Sequence, residues 1–246
     1  MPDHIVRLEN RKRDTANAVQ YVSQIYDITS FVSDADAALF KHLAPDVSER
    51  IRVIPIGVDT DYFDPSLAYT NPFLADRHAI VFTGAMDYWP NVDAVSWFAT
   101  EVFCRIRQTV PNAEFWIVGS SPTRQVAELR AIPGVVVTGR VPDVRPYLAH
   151  AAAVVAPLRV ARGTQSKVLE AYAMARPVVL SSAAANGLLP APFIGEATHD
   201  DPERMAAAVR RALESNSSFD AARNYVMDNY SWSRTFSLLD QALGLN

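Results

Sequence analysis

Arg162-Gly163-Thr164-Gln165-Ser166-Lys167-Val168-Leu169-Glu170-Ala171-Tyr172-Ala173-Met174-Ala175-Arg176-Pro177 lies between two apolar runs, Ala153–Leu158 and Val178–Ser181. Those runs read as buried strands, so the stretch reads as the loop and helix of a strand-helix-strand unit. Gly163 and Thr164 predict a turn and a cap at the helix start. The free amides and positive dipole end of such a helix offer a seat for an anion. Counting from Gly163, Lys167 and Glu170 follow at i+4 and i+7, which predicts one shared face. A phosphate seat, a lysine and a carboxylate at one edge of a parallel sheet would suit a nucleotide sugar. The carboxylate would accept hydrogen bonds from ribose hydroxyls.

Outward from this unit the alternation continues. Ala79–Thr83, Glu114–Val118 and Val135–Thr138 read as strands. Between them, Asn91–Thr109, Pro122–Ala131 and Val144–Ala151 read as helices, the first with Val95, Phe98, Val102 and Ile106 on one stripe. Pro202–Ser215 reads as a helix and Phe219–Gly244 as one or two more. Strands alternating with helices predict a doubly wound, parallel α/β sheet of Rossmann type. Upstream, Asp14–Tyr26 reads as a helix, Ile28–Val32 as a strand, Asp34–Leu43 as a helix capped by Ser33, and Ile51–Ile56 as a strand. Two parallel strands cannot bury both faces, so they read as the end of another sheet. The Asp, Gly and Pro content of Gly57–Pro65 reads as a linker. The expected division is 1–65, a partial α/β domain and linker, and 66–246, a complete ligand-binding domain with C-terminal helices.

Composition narrows the classes. The chain has 246 residues, 49% apolar and 20% charged, with a net charge of −4. That balance is ordinary for a soluble globular protein and gives no electrostatic case for nucleic acid. Cys104, the single cysteine, reads as a small core residue and excludes an internal disulfide, which points to the cytosol. The five histidines are scattered without metal-ligand spacing, so no metal is expected. The basic run Arg11-Lys12-Arg13 reads as a solvated helix start or as a weak contact with a membrane surface.

Several segments, in order, resemble the group 1 (family 4) glycosyltransferases of the GT-B fold. Ile51-Arg52-Val53-Ile54-Pro55-Ile56-Gly57-Val58-Asp59-Thr60-Asp61-Tyr62-Phe63 is similar to that family's interdomain entry, which usually reads Val-Ile-Pro-Asn-Gly-Val-Asp. Gly163–Pro177 resembles its donor-site helix, and Ser231-Trp232 its C-terminal end. Phe82-Thr83-Gly84-Ala85-Met86-Asp87-Tyr88-Trp89-Pro90-Asn91 resembles the first donor-domain strand and loop of transferases tied to exopolysaccharide synthesis.

The resemblance implies two facing Rossmann-like domains, with the C-terminal one binding the donor and the other the acceptor. It implies retention of anomeric configuration, a nucleoside diphosphate sugar as donor, no cofactor, and a glycan or lipid-linked acceptor. It places the protein in the cytoplasm or at the inner face of the membrane. It also implies that this chain holds the whole donor domain and only the end of the acceptor domain. Self-association and weak activity of the isolated chain would follow.

By the same resemblance, Glu170 binds ribose and Gly139-Arg140-Val141 meets the base. Gly84 and Asn91 belong to the donor loop, and Gly163 and Thr164 to the phosphate turn. The family's first motif glutamate falls at Arg162, and its usual basic pair after the first strand is absent. Arg159, Arg162 and Lys167 are the available replacements. Arg162 and Lys167 are the candidates for stabilising the leaving group. Each has a plainer reading: Glu170, Arg162 and Lys167 as surface charges, Gly139 as a turn, and Tyr88 and Trp89 as packing residues. Two other functions fit the same residues: a non-catalytic nucleotide-sugar binding or interaction module, and a GT-B-fold sugar epimerase.

Overall fold

The computed structural model describes residues 20–21, 24–215 and 219–245. The helix expected over 14–26 falls largely, and the basic run at 11–13 wholly, outside these residues.

The larger sheet has five parallel strands in the order β5-β4-β3-β6-β7. They are β3 (His78–Thr83), β4 (Ala113–Val118), β5 (Val135–Gly139), β6 (Ala153–Ala156) and β7 (Val178–Leu180). From β3 the chain winds outward through β4 to β5, then returns to lay β6 and β7 on the other side. The order therefore reverses between β3 and β6, and the carboxyl ends there form the crevice where such sheets take ligands. β6 and β7 are buried along their whole length, as expected for strands covered by helices on both faces.

One composite helical segment spans the expected Asn91–Thr109 region. It runs as an α-helix over Trp89–Trp97, a π-helical stretch over Phe98–Phe103 and an α-helix over Cys104–Thr109. The stripe of Val95, Phe98, Val102 and Ile106 is fully buried. Cys104, however, is exposed. It lies two residues past Val102, roughly 200° around the axis, and so faces away from the core. Tyr88 and Trp89 are also not packing residues: they are 61% and 58% exposed.

A separate two-stranded parallel sheet pairs β1 (Thr29–Phe31) with β2 (Ile51–Val53). Between them lie the helix Asp34–Leu43 and a 3₁₀ helix, Pro45–Arg50. Ser33 caps the former by accepting from the Asp36 amide at 3.2 Å.

The C-terminal helices, Asp220–Tyr230 and Trp232–Leu243, strap the connection between the two sheets. Thr235 donates its hydroxyl to the Pro55 carbonyl at 3.0 Å. Val58 donates its amide to the Tyr230 carbonyl at 2.7 Å. Arg223 donates to the Phe63 carbonyl at 2.9 Å and to Ala173, at the end of the motif helix, at 2.5 Å. The segment 55–63 is thus held to the C-terminal helices. Among the described residues, no helix is long and apolar enough to cross a membrane.

Candidate functional site

The carboxyl ends of β3, β4 and β5, together with the motif helix, enclose a cavity of about 460 Å³. Thr83 ends β3 and Gly84 follows it, Gly119 and Ser120 follow β4, and Arg140 and Val141 follow β5. The fourth wall is Ser166, Lys167 and Glu170.

Glycine is required where β3 and β4 end. A Cβ on Gly119 would lie 1.7 Å from the Gly84 carbonyl oxygen, so the two backbones touch with no room for a side chain. A Cβ on Gly84 would lie 2.7 Å from Asn91 Nδ2 and 3.1 Å from Lys167 Nζ. The bare backbone at Gly84 therefore leaves the space those two side chains use.

The motif helix begins later than its sequence suggests. It spans Ser166–Ala173, and Gln165, not Thr164, is its N-cap residue. Gly163 sits at φ +64°, turning the chain before the helix forms. The Thr164 hydroxyl, expected to cap the helix, instead lies 3.0 Å from the Val32 carbonyl and 2.9 Å from that of Gly187. Gly187 is a second close approach, since a Cβ there would come within 2.1 Å of the Gly163 oxygen. Gly163 is thus outside the helix, and the shared face is built by Lys167 and Glu170 alone at i, i+3.

Lys167 is held rather than free. Its Nζ donates to Asn91 Oδ1 at 2.6 Å and sits 4.2 Å from the centre of the Phe82 ring. Asn91, only 6% exposed, is fixed in turn by donating to the Ala85 carbonyl at 2.9 Å. Asn91 thus orients the lysine. Burial pushes the Lys167 ammonium down from 10.5 to about 8, and the Glu170 carboxylate opposes that shift. Burial likewise raises the Glu170 carboxyl, against the pull of Lys167. On the β3 wall of the same cavity, the buried Thr83 hydroxyl has no partner among the described residues.

The other expected site residues fall elsewhere. Gly139, at φ +73°, ends β5 and turns the chain into the cavity wall at Arg140. Arg159 is paired to Asp93, with Nε 2.9 Å from Oδ2, and lines a different hollow with Trp97 and Asp200. Arg162 is exposed and, with Gly163, lines a smaller cleft of about 230 Å³ facing Ser33 and Asp36 of the first helix. Of the three basic candidates, only Lys167 lines the cavity at the carboxyl ends of the strands. Sequence reasoning missed Gly119, Ser120 and Ser166 and assigned no role to Thr83. The rule that ligands sit beyond strand carboxyl ends would have drawn attention to the first two. Among the described residues, no cluster of three His, Cys, Asp or Glu side chains is arranged to hold a metal.

A family model described as glycosyl transferases group 1 matches residues 77–215. No curated protein matches the chain in sequence. Solved structures do match in fold. A glycosyltransferase from Rickettsia africae superposes with a TM-score of 0.69 at 15% identity, over 90% of this chain and 66% of that one. HepE from Anabaena, solved in complex with UDP and glucose, gives 0.70 at 14% identity, over 94% and 67%. A sucrose-phosphate synthase from Thermosynechococcus elongatus gives 0.68 at 17% identity, over 94% and 62%. This chain therefore spans about two thirds or less of the length of these structures.

Proposed function

The chain belongs to the group 1 glycosyl transferases, and we propose that its larger sheet is the donor-binding half of a retaining sugar transferase. The donor would be a nucleoside diphosphate sugar and the acceptor a glycan or lipid-linked sugar in polysaccharide or glycoconjugate synthesis. One observation carries the reading: Lys167 and Glu170 share a wall of the cavity at the point where the strand order reverses. The UDP and glucose named with the Anabaena structure support the same ligand class.

In this reading the diphosphate lies between the amides of Ser166 and Lys167 and the Lys167 ammonium. Glu170 accepts from the ribose hydroxyls, and the base lies along Gly139, Arg140 and Val141. Arg162 and Gly163 face the first helix, toward the acceptor side. As the acceptor hydroxyl oxygen bonds to the anomeric carbon, the bond from that carbon to the distal phosphate oxygen breaks, and the hydroxyl proton passes to the departing diphosphate. Negative charge grows on the departing diphosphate, where Lys167 and the helix amides are already placed to meet it.

Two predictions follow from the ionisable pair. Glu170→Gln keeps the shape of the side chain but removes its charge. It should weaken UDP binding by about 1–3 kcal/mol, the range for hydrogen bonds to a charged group. Titration calorimetry reads this directly, and unchanged affinity would remove Glu170 from the ribose site.

The second is a pH dependence. A cation whose folded pKa is depressed lowers stability while it stays charged. For Lys167 that penalty is full below about 8 and fades as the pH rises to 10.5. A bound diphosphate favours the charged ammonium and so takes up a proton above pH 8. UDP affinity should therefore be flat just below pH 8 and fall by roughly tenfold per unit above it. A flat profile across pH 7 to 9.5 would contradict a diphosphate at Lys167.

A further inference from the structure

We propose that the opposite edge of the five-stranded sheet carries a second site, which binds a small oxyanion of the phosphate monoester type. A cavity of about 720 Å³ opens there, at the amino ends of the strands. Its walls include His78 at the start of β3, His150 at the end of the helix Arg145–His150, and Arg176 and Pro177 just before β7. It shares no lining residue with the cavity of Lys167 and Glu170.

Arg176 is the centre of the argument. Its Nε is buried and makes no hydrogen bond. No carboxylate forms an ion pair with it among the described residues. A desolvated guanidinium without a counter-charge is unfavourable, and burial accordingly pulls it below its ordinary range. By contrast, Arg159 is engaged by Asp93, and Arg223 by three carbonyls. An oxyanion would satisfy the Arg176 fork with two parallel hydrogen bonds.

The backbone holds that arginine in place. The Arg176 amide donates to the Ala171 carbonyl at 3.0 Å, closing the motif helix with a six-residue loop. Ala175 within that loop sits at φ +52°, where glycine is the ordinary choice, and it lines the same cavity. A left-handed alanine costs roughly 1 kcal/mol, so the sequence tolerates strain at the residue beside the guanidinium.

His150, on the same cavity wall, is held by the chain. Its Nε2 lies 2.8 Å from the Tyr69 carbonyl, so Nε2 carries the proton in the neutral ring. Asp220 also lines the cavity and opposes a multiply charged anion near it. A singly charged phosphate monoester fits a lining of one guanidinium and two imidazoles with a carboxylate at its margin.

The test is a titration of inorganic phosphate into ¹⁵N-labelled protein, followed by NMR, with chloride at equal ionic strength as the control. The Arg176 Nε–H signal and the His78 and Ala152 amides should shift saturably with phosphate and not with chloride. Lys167→Met should leave those shifts in place, whereas Arg176→Gln should weaken the His78 and Ala152 response at least tenfold. Wild-type protein in which these signals do not move, or move equally with chloride, would overturn the proposal whether or not the arginine variant folds.

Discussion

Lys167→Met is expected to weaken UDP binding by roughly 2–5 kcal/mol, at least about 30-fold, the range for removing one partner of a buried, hydrogen-bonded charge pair. Methionine preserves the length of the stem and its packing over the Phe82 ring, so the change isolates the ammonium. Only this cation lines the cavity wall beside Glu170, apart from the exposed Arg140. The variant should also lose the fall in affinity above pH 8. Arg162→Ala should have a smaller effect, because Arg162 faces the cleft beside Asp36. Calorimetry with UDP and with uridine separates the two contributions. The methionine variant should lose its preference for the diphosphate over the nucleoside, and equal loss for both ligands would place the diphosphate elsewhere.

Gly119→Ala is expected to give the largest loss of stability among single-methyl changes near the site. The added carbon would overlap the Gly84 carbonyl oxygen, a backbone atom that no rotamer change can move. The carboxyl ends of β3 and β4 would have to separate, against the bond from the Gly84 amide to the Val118 carbonyl at 3.1 Å. Overpacking of this kind costs about 3 kcal/mol, and for a chain of this size the melting temperature should drop by roughly 6–12 °C. UDP affinity should fall as well, since Gly84 and Gly119 both line the cavity. Gly195→Ala is the control: its Cβ would meet nothing within 4 Å, inside the helix Pro192–Glu196, so it should be neutral or slightly stabilising. A Gly119→Ala protein melting with wild type would contradict the close approach of the two strand ends.

The parts of the fold legible in the sequence are those fixed by local chemistry. Ser33 and the helix Asp34–Leu43 could be read to the residue, because a cap and its amide lie three positions apart. The alternation of strands and helices from β3 to β7 was legible because fully buried parallel strands are short apolar runs separated by amphipathic segments. What escaped was set by distant partners. Thr164 has the composition of a cap, but its hydroxyl meets carbonyls 132 and 23 residues away. Arg159 has the composition of a phosphate ligand, but Asp93, 66 residues away, holds it. The π-helical stretch at Phe98–Phe103 leaves the apolar stripe intact and so gave no periodic signal. Cys104 was misread because a cysteine is usually buried, while its position around the axis puts it on the outer face. The short helices Ser182–Ala185 and Pro192–Glu196 have too few residues to show a period.

The most direct test of the donor-site account is a crystal structure of the protein with UDP. The account predicts the diphosphate at the Lys167 ammonium and the Ser166 amide, the ribose hydroxyls on Glu170, and the base against Gly139-Arg140-Val141. UDP found outside this cavity, or seated in it with the diphosphate turned away from Lys167, would contradict the account.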